Sequence, residues 1–169
     1  MVYNIAMDAA ELQGLLDEVS HQALVYHGFV DYMRDYEVIV RPAGDPVTGV
    51  RPAHLRYLFR YCVEARCQTT LSADAWAQSL DDRLTDYRNG VEINGYLWGV
   101  KWHALHPGAS VVAESKSAEK WAASLGIDFH EVQIETNAHD LTLVFSSLQV
   151  SEVPIGYTPF TVDEAPTRT

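Results

Sequence analysis

The sequence predicts a single α+β domain, in which a mostly antiparallel sheet is flanked by about three helices. The chain has 169 residues, a length that suits one domain with one core. Its segments follow the order helix, strands, helix, strands, helix, hairpin, which is an α+β pattern. Neither a repeat nor a linker divides the chain. We therefore expect residues 1–160 to form the domain and residues 161–169 a polar tail.

Three segments carry helix signals. Each follows a residue whose side chain accepts hydrogen bonds from a first helical turn: Asp8, Ser72, and Ser115 or Ser117. Glu11 completes a capping box with Asp8, and apolar residues then recur at helical spacing over about 9–22. Gly126 stands where a C-cap glycine belongs after the third helix.

Strand-like alternation accounts for most of the remaining chain. The predicted strands lie at 25–29, 36–40, 54–71, 95–108, 111–112, 129–136 and 141–153. The segment 54–71 also fits a helix, but the strand pattern matches more positions and the segment is rich in aromatic and β-branched residues. We expect a Pro-Gly turn at 107–108 to end the strand that contains it.

Charge excludes some classes of partner. The formal net charge is −11 and the pI is about 4.9. Such a field repels phosphates, so we expect neither nucleic acid nor an anionic membrane surface as a partner. A basic protein would be attracted, and a homodimer stays open as an alternative.

The N-terminus and the cysteines both favour a cytoplasmic protein. The start MVYNIAMDAAELQGLL lacks the basic and apolar regions of a secretion signal. The two cysteines, Cys62 and Cys67, lie five apart on a predicted strand and so on opposite faces, where they do not readily pair. Two cysteines without a C-x-x-C spacing do not indicate a zinc site, and we expect free thiols.

The stretch DFHEVQIETNAHD at 128–140 concentrates histidines and carboxylates. Its HEVQI start lacks the second histidine of H-E-x-x-H, because Ile134 occupies that position. The segment also alternates as a strand does, with Glu131 and Glu135 on a solvated face. We interpret it as a β-hairpin with His139 at its tip rather than as a metal site.

A three-histidine metal site is the weaker alternative. His103 and His106 lie three positions apart, so on a regular strand they point to opposite faces. A bulge near the Pro-Gly turn, together with a neighbouring strand carrying His130, would bring the three together. Sequence does not show which strands are neighbours, and we predict neither a metal nor a cofactor.

Two further groups are candidate binding residues. Arg56, Arg60 and Arg66 share one strand face, in the part of this acidic chain where basic residues concentrate. This face would bind an anion or an acidic segment, or its arginines form cross-strand pairs with Glu37 and other carboxylates. Trp98 and Trp102 belong to an aromatic stripe that forms core packing or lines an apolar cleft.

Several phrases resemble the YxiG-like proteins, a mainly actinobacterial family. They include LRYLFRYCVEARC, GYLWGVKWHALHPGA and GIDFHEVQIETNAHDLTLVFSSLQV, and the likeness runs from about Met7 to Phe160. The resemblance implies a small cytoplasmic bacterial protein and brings no catalytic residues with it. This sequence departs from an aromatic-Pro-Gly ending at HALHPG, which argues against an essential role for His106.

These observations favour a non-catalytic protein-binding module. We find no P-loop, no G-x-G-x-x-G and no G-x-S-x-G, and no catalytic spacing stands out. By analogy, small acidic α+β proteins include immunity proteins that neutralise basic toxins. The alternative is a small metal-dependent hydrolase built on His103, His130 and nearby carboxylates.

Overall fold

The computed structural model describes residues 7–79, 91–93, 96–98 and 103–159. Within them the helices are α1 (Ala9–Asp17), α2 (Ala73–Ser79) and α3 (Lys116–Leu125). The first strands are β1 (Ala23–Val30), β2 (Asp35–Arg41), β3 (Leu55–Arg60), β4 (Glu64–Thr69), β5 (Val91–Ile93) and β6 (Tyr96–Trp98). The remaining strands are β7 (His103–Val111), β8 (His130–Thr136), β9 (His139–Phe145) and β10 (Ser147–Glu152).

Eight of the described strands form one sheet in the order β10-β3-β2-β1-β7-β8-β9-β4, and β5 pairs with β6 apart from it. All of these pairings are antiparallel. β3 and β4 are successive parts of one long, bent strand, and β9 and β10 are successive parts of another. The two bent strands pair along both parts, β3 with β10 and β4 with β9. The sheet therefore curves round and closes on itself.

The core lies inside this curved sheet. Alternate residues of the strands point inward and are buried: Val38, Val40, Tyr57, Phe59, Val132, Ile134, Leu141, Leu143 and Phe145. The rings of Phe59 and Phe145 meet edge to face, with centroids 4.7 Å apart. Leu12 and Leu16 of α1 join the same cluster. This main core and a mostly antiparallel sheet with three described helices confirm the predicted α+β class.

Local capping explains where the helices begin and end. Asp8 accepts the N–H of Glu11 at 2.8 Å, which confirms the predicted capping box. α1 ends at Asp17, earlier than the predicted position 22. His21 has a φ of 62°, outside the helical range, and donates its N–H to Leu105 of β7. Gly126 ends α3 with a φ of 71°, as expected for a C-cap glycine.

The prediction of one unbroken strand over 54–71 was wrong. β3 ends at Arg60, β4 begins at Glu64, and Tyr61 between them has a left-handed φ of 51°. The carboxylate of Asp35 accepts the N–H of Tyr61 at 3.0 Å, so a distant residue stabilises the bend. Alternation within the segment does not reveal such a partner.

The predicted Pro-Gly turn is instead a bulge inside β7. The pairing with β8 shifts between Leu105 and Ala109, and β7 continues to Val111. Gly108 has a φ of 125°, and a Cβ there would lie 3.1 Å from the Cα of Ser20. Only glycine fits this close approach without strain. No helix among the described residues has the length and apolar character needed to cross a membrane.

Candidate functional site

Two of the three predicted binding arginines are engaged by carboxylates of β2. The Nε atom of Arg56 lies 2.7 Å from Oε2 of Glu37, and Nε of Arg60 lies 4.0 Å from Oδ2 of Asp35. Arg66 is exposed on β4. The structure thus pairs Arg56 across strands with Glu37, the arrangement expected if this face serves a structural role.

A cleft of about 430 Å³ lies on the outer face of β1 and β2, beside the segment 153–159 that follows β10. Its walls are mostly apolar and include Val25, Tyr26, Ile39, Ala53, Val153 and Ile155. Ile155 is fully exposed at its rim. The volume falls within the range of roughly 300–1,000 Å³ typical of ligand pockets.

A buried carboxylate lies behind one wall of this cleft. Tyr157, which lines the cleft, donates its hydroxyl to Oε2 of Glu37, the oxygen that Arg56 also contacts. Burial and the hydrogen bond to Glu37 raise the pKa of Tyr157 to about 12, so the phenol stays a donor at neutral pH. Glu37 is 0% exposed, and its Oε1 has no hydrogen-bond partner among the described residues. A buried acceptor without a donor is unfavourable, so an added donor here would be stabilising.

The predicted tryptophan stripe is only partly described. Trp98 is the last residue of β6, and its side chain lies outside the described part of the structure. Trp102 lies outside the described residues altogether. Their proposed role in binding therefore stays a prediction.

The three histidines of the weaker metal alternative do not all converge. His130 is the first residue of β8 and pairs with Phe145, whereas His106 follows Leu105, which pairs with Thr136 at the other end of β8. Five to six residues of strand separate these positions, or roughly 17–20 Å. One ion does not span that distance. The side chain of His103 lies outside the described part.

A different group of metal-ligating side chains does converge. His27 on β1, Cys67 on β4 and His139 on β9 each offer a ligand atom, and these atoms all lie within 4.8 Å of one another. Cys62 and Cys67 are both free thiols, as predicted, and only Cys67 belongs to this group. Partial desolvation, together with the nearby charge of Asp140, raises the pKa of the Cys67 thiol.

Sequence reasoning missed this group, although each member carried a signal. His27 alternates with Phe29, and His139 alternates with Leu141 and Leu143, so each lies on an apolar strand face. A histidine on an otherwise apolar inward face is the clue. What was missing is the closure of the sheet that brings β1, β4 and β9 together.

The fold and these sites define a small α+β protein with a main core inside a curved antiparallel sheet and an acidic composition. A family model described as "YxiG-like protein" matches residues 8–163, and the chain belongs to this family. The resemblance noted in the sequence is thereby confirmed.

Comparison with solved structures finds a likeness to the crystal structure of an uncharacterized protein from Neisseria gonorrhoeae. The two chains share 7% identity at a TM-score of 0.35, over 79% of this chain and 93% of the other. No curated protein matches the chain.

Proposed function

We propose that this protein is a non-catalytic binding module whose outer cleft receives an apolar, basic segment of a protein partner. The observation that carries the proposal is the combination of apolar walls with the buried Glu37 behind Tyr157. The walls would take aliphatic side chains of the segment. Oε1 of Glu37, which Arg56 leaves without a hydrogen-bond partner among the described residues, would accept a donor from a cationic side chain of the segment.

The charge of the whole chain supports a basic occupant. At −11, the chain attracts cationic partners at long range and repels acidic ones. Attraction of this kind raises the association rate and falls as salt is added. A toxin-neutralising role toward a basic partner is the narrower form of this proposal.

A peptide of defined composition tests the cleft without a known partner. We would titrate the isotope-labelled protein with a blocked peptide of alternating Leu and Arg, and with a matched peptide in which Gln replaces Arg. The Arg peptide is expected to bind more tightly, with NMR shifts concentrated at Tyr26, Ile39 and Ile155. Ala53→Trp places a large ring in the cleft and should weaken binding at least about tenfold, or 1.4 kcal/mol.

Val47→Trp is the matched control, because Val47 is 90% exposed and lies outside the cleft. It adds the same ring and should leave peptide affinity unchanged. Equal weakening by both variants, or shifts spread over the acidic surface, would overturn the proposal. Native mass of the free protein checks the homodimer alternative, since a dimer blocked by Ala53→Trp would assign the cleft to self-association.

A further inference from the structure

We propose that His27, Cys67 and His139 form a binding site for one divalent transition-metal ion of the zinc class. The ion would take three ligands from the protein and keep one position for water or another small ligand. This site is separate from the outer cleft. It lies on the inward face of the curved sheet. A negative result for one of the two proposals would therefore not contradict the other.

Strand pairing explains why these three side chains meet. His27 pairs with Val38, and Cys67 pairs with Leu141; both partners belong to the core. Residues directly opposite each other in antiparallel strands point to the same face, so His27 and Cys67 point inward. His139 pairs with Thr69, two positions along β4 from Cys67, and shares that face. The inward faces of β1, β4 and β9 thus present two imidazoles and one thiol to a common space.

Hydroxyl groups orient both imidazole rings. The hydroxyl of Tyr36 lies 2.6 Å from Nδ1 of His27. Oγ1 of Thr136 lies 3.4 Å from Nδ1 of His139, and the Thr136 hydroxyl donates to the His139 carbonyl oxygen at 2.8 Å. Thr136 Oγ1 also accepts the backbone N–H groups of Ala138 and His139, so this hydroxyl holds the turn that carries the His139 ring. Metal-binding histidines are commonly held in this way through the second ring nitrogen.

The donor set selects the class of ion. Two imidazole nitrogens and a thiolate suit zinc and similar borderline-soft ions, whereas calcium and magnesium prefer oxygen. Ligand bonds of about 2.0–2.3 Å in tetrahedral geometry set neighbouring ligand atoms roughly 3.3–3.6 Å apart. Since the three atoms already lie within 4.8 Å, side-chain shifts of roughly 1 Å close the site.

Charge and access also fit a cation. Cys67 is exposed and the two histidines are half-buried, which gives an ion a path from solvent. Asp140 acts electrostatically on Cys67, so it adds negative charge near this ligand. On binding, the thiol loses its proton to solvent and the sulfur forms the bond to the metal.

Titration with zinc(II) and cobalt(II) tests the site. The protein would be purified without a metal-affinity tag and kept reduced. We expect one zinc per chain by calorimetry, and a thiolate-to-cobalt charge-transfer band that reports the Cys67 ligand. Cys67→Ser should abolish that band and, like His139→Gln, weaken zinc binding at least about 100-fold. Tyr36→Phe removes only the group that positions His27 and should weaken binding by about 10–100-fold.

Two controls separate this site from adventitious binding. Cys62→Ala removes the other thiol, and His106→Gln removes an exposed histidine that lies outside the group. Both variants should keep the affinity and the cobalt band of the original chain. No stoichiometric binding, or binding that survives both Cys67→Ser and His139→Gln in folded protein, would overturn the proposal. Circular dichroism establishes that each variant is folded.

Discussion

Asp35 shows how one buried side chain fixes a change of strand direction. Its carboxylate accepts hydrogen bonds from the N–H of Tyr61 at 3.0 Å and from two nitrogens of Arg34 at 3.0 and 3.1 Å. Burial alone would raise the pKa of Asp35, but these hydrogen bonds outweigh it and hold that pKa below its ordinary value. The bend between β3 and β4 therefore depends on an ionised residue of β2.

Asp35→Asn should destabilise the fold and flatten its response to acid. Folding lowers the pKa of Asp35. The stabilisation by its carboxylate is therefore fully present above the pKa of Asp in the unfolded chain, about 3.9, and is lost as pH falls through the pKa of the folded state. Above about pH 5, we expect the variant to lose roughly 1.5–3 kcal/mol of unfolding free energy, the worth of a charge-assisted hydrogen bond.

Urea unfolding at a series of pH values measures both effects of Asp35→Asn. Asp31→Asn is the control, because Asp31 is 55% exposed and lies 4.0 Å from the same Arg34. It should leave the stability unchanged. An Asp35→Asn variant as stable as the original chain at neutral pH would show that the bend does not need this carboxylate.

At the scale of elements, local signals predicted helix starts and strand alternation but not the breaks within strands. Asp8, Ser72 and Ser115 each accept a backbone N–H of the first turn of their helices, as their positions in the sequence indicated. The bulge at Gly108 and the bend at Tyr61 arise from contacts with Ser20 and Asp35, far away in the sequence. Sequence periodicity reflects solvent exposure, so contacts between residues far apart in the sequence cannot be predicted from it.

Gly108→Ala and Gly14→Ala should change stability in opposite directions. At Gly108 the added Cβ meets the backbone of Ser20 and the φ is 125°, so we expect a loss of about 1–3 kcal/mol. Gly14 lies within α1, and a Cβ there meets nothing within 4 Å. Alanine at that position should gain about 0.5–1 kcal/mol through higher helix propensity. Chemical denaturation of the two variants side by side measures both, and a stabilising Gly108→Ala would refute the close approach.

At the scale of the molecule, stability depends on α1 packing against the curved sheet. Leu12 is 0% exposed and belongs to the same cluster as residues from β2, β3 and β7–β10. The side-chain amide of Gln13 reinforces this docking. It donates to the carbonyl of Ala109 at 3.1 Å and accepts the N–H of Val111 at 2.8 Å. Helix and sheet should therefore unfold together.

Leu12→Ala should lower the unfolding free energy by about 2–5 kcal/mol, because it leaves a cavity in the shared core. Leu15→Ala, on the same helix but 37% exposed, should have a much smaller effect. Unfolding followed by both far-ultraviolet circular dichroism and tryptophan fluorescence should give one coincident transition. A separate early loss of helical signal in Leu12→Ala would show that α1 is only loosely attached.

The sequence by itself determined the α+β class, the helix caps, the acidic charge and the family. These depend on neighbouring residues or on composition, so they can be read along the chain. Only the tertiary structure decided that Arg56 pairs with Glu37, that His106 and His130 lie far apart, and that His27, Cys67 and His139 meet. Alternation shows which face of a strand is buried, but it does not identify the neighbouring strand. Closure of the sheet supplies those neighbours, and with them both candidate sites.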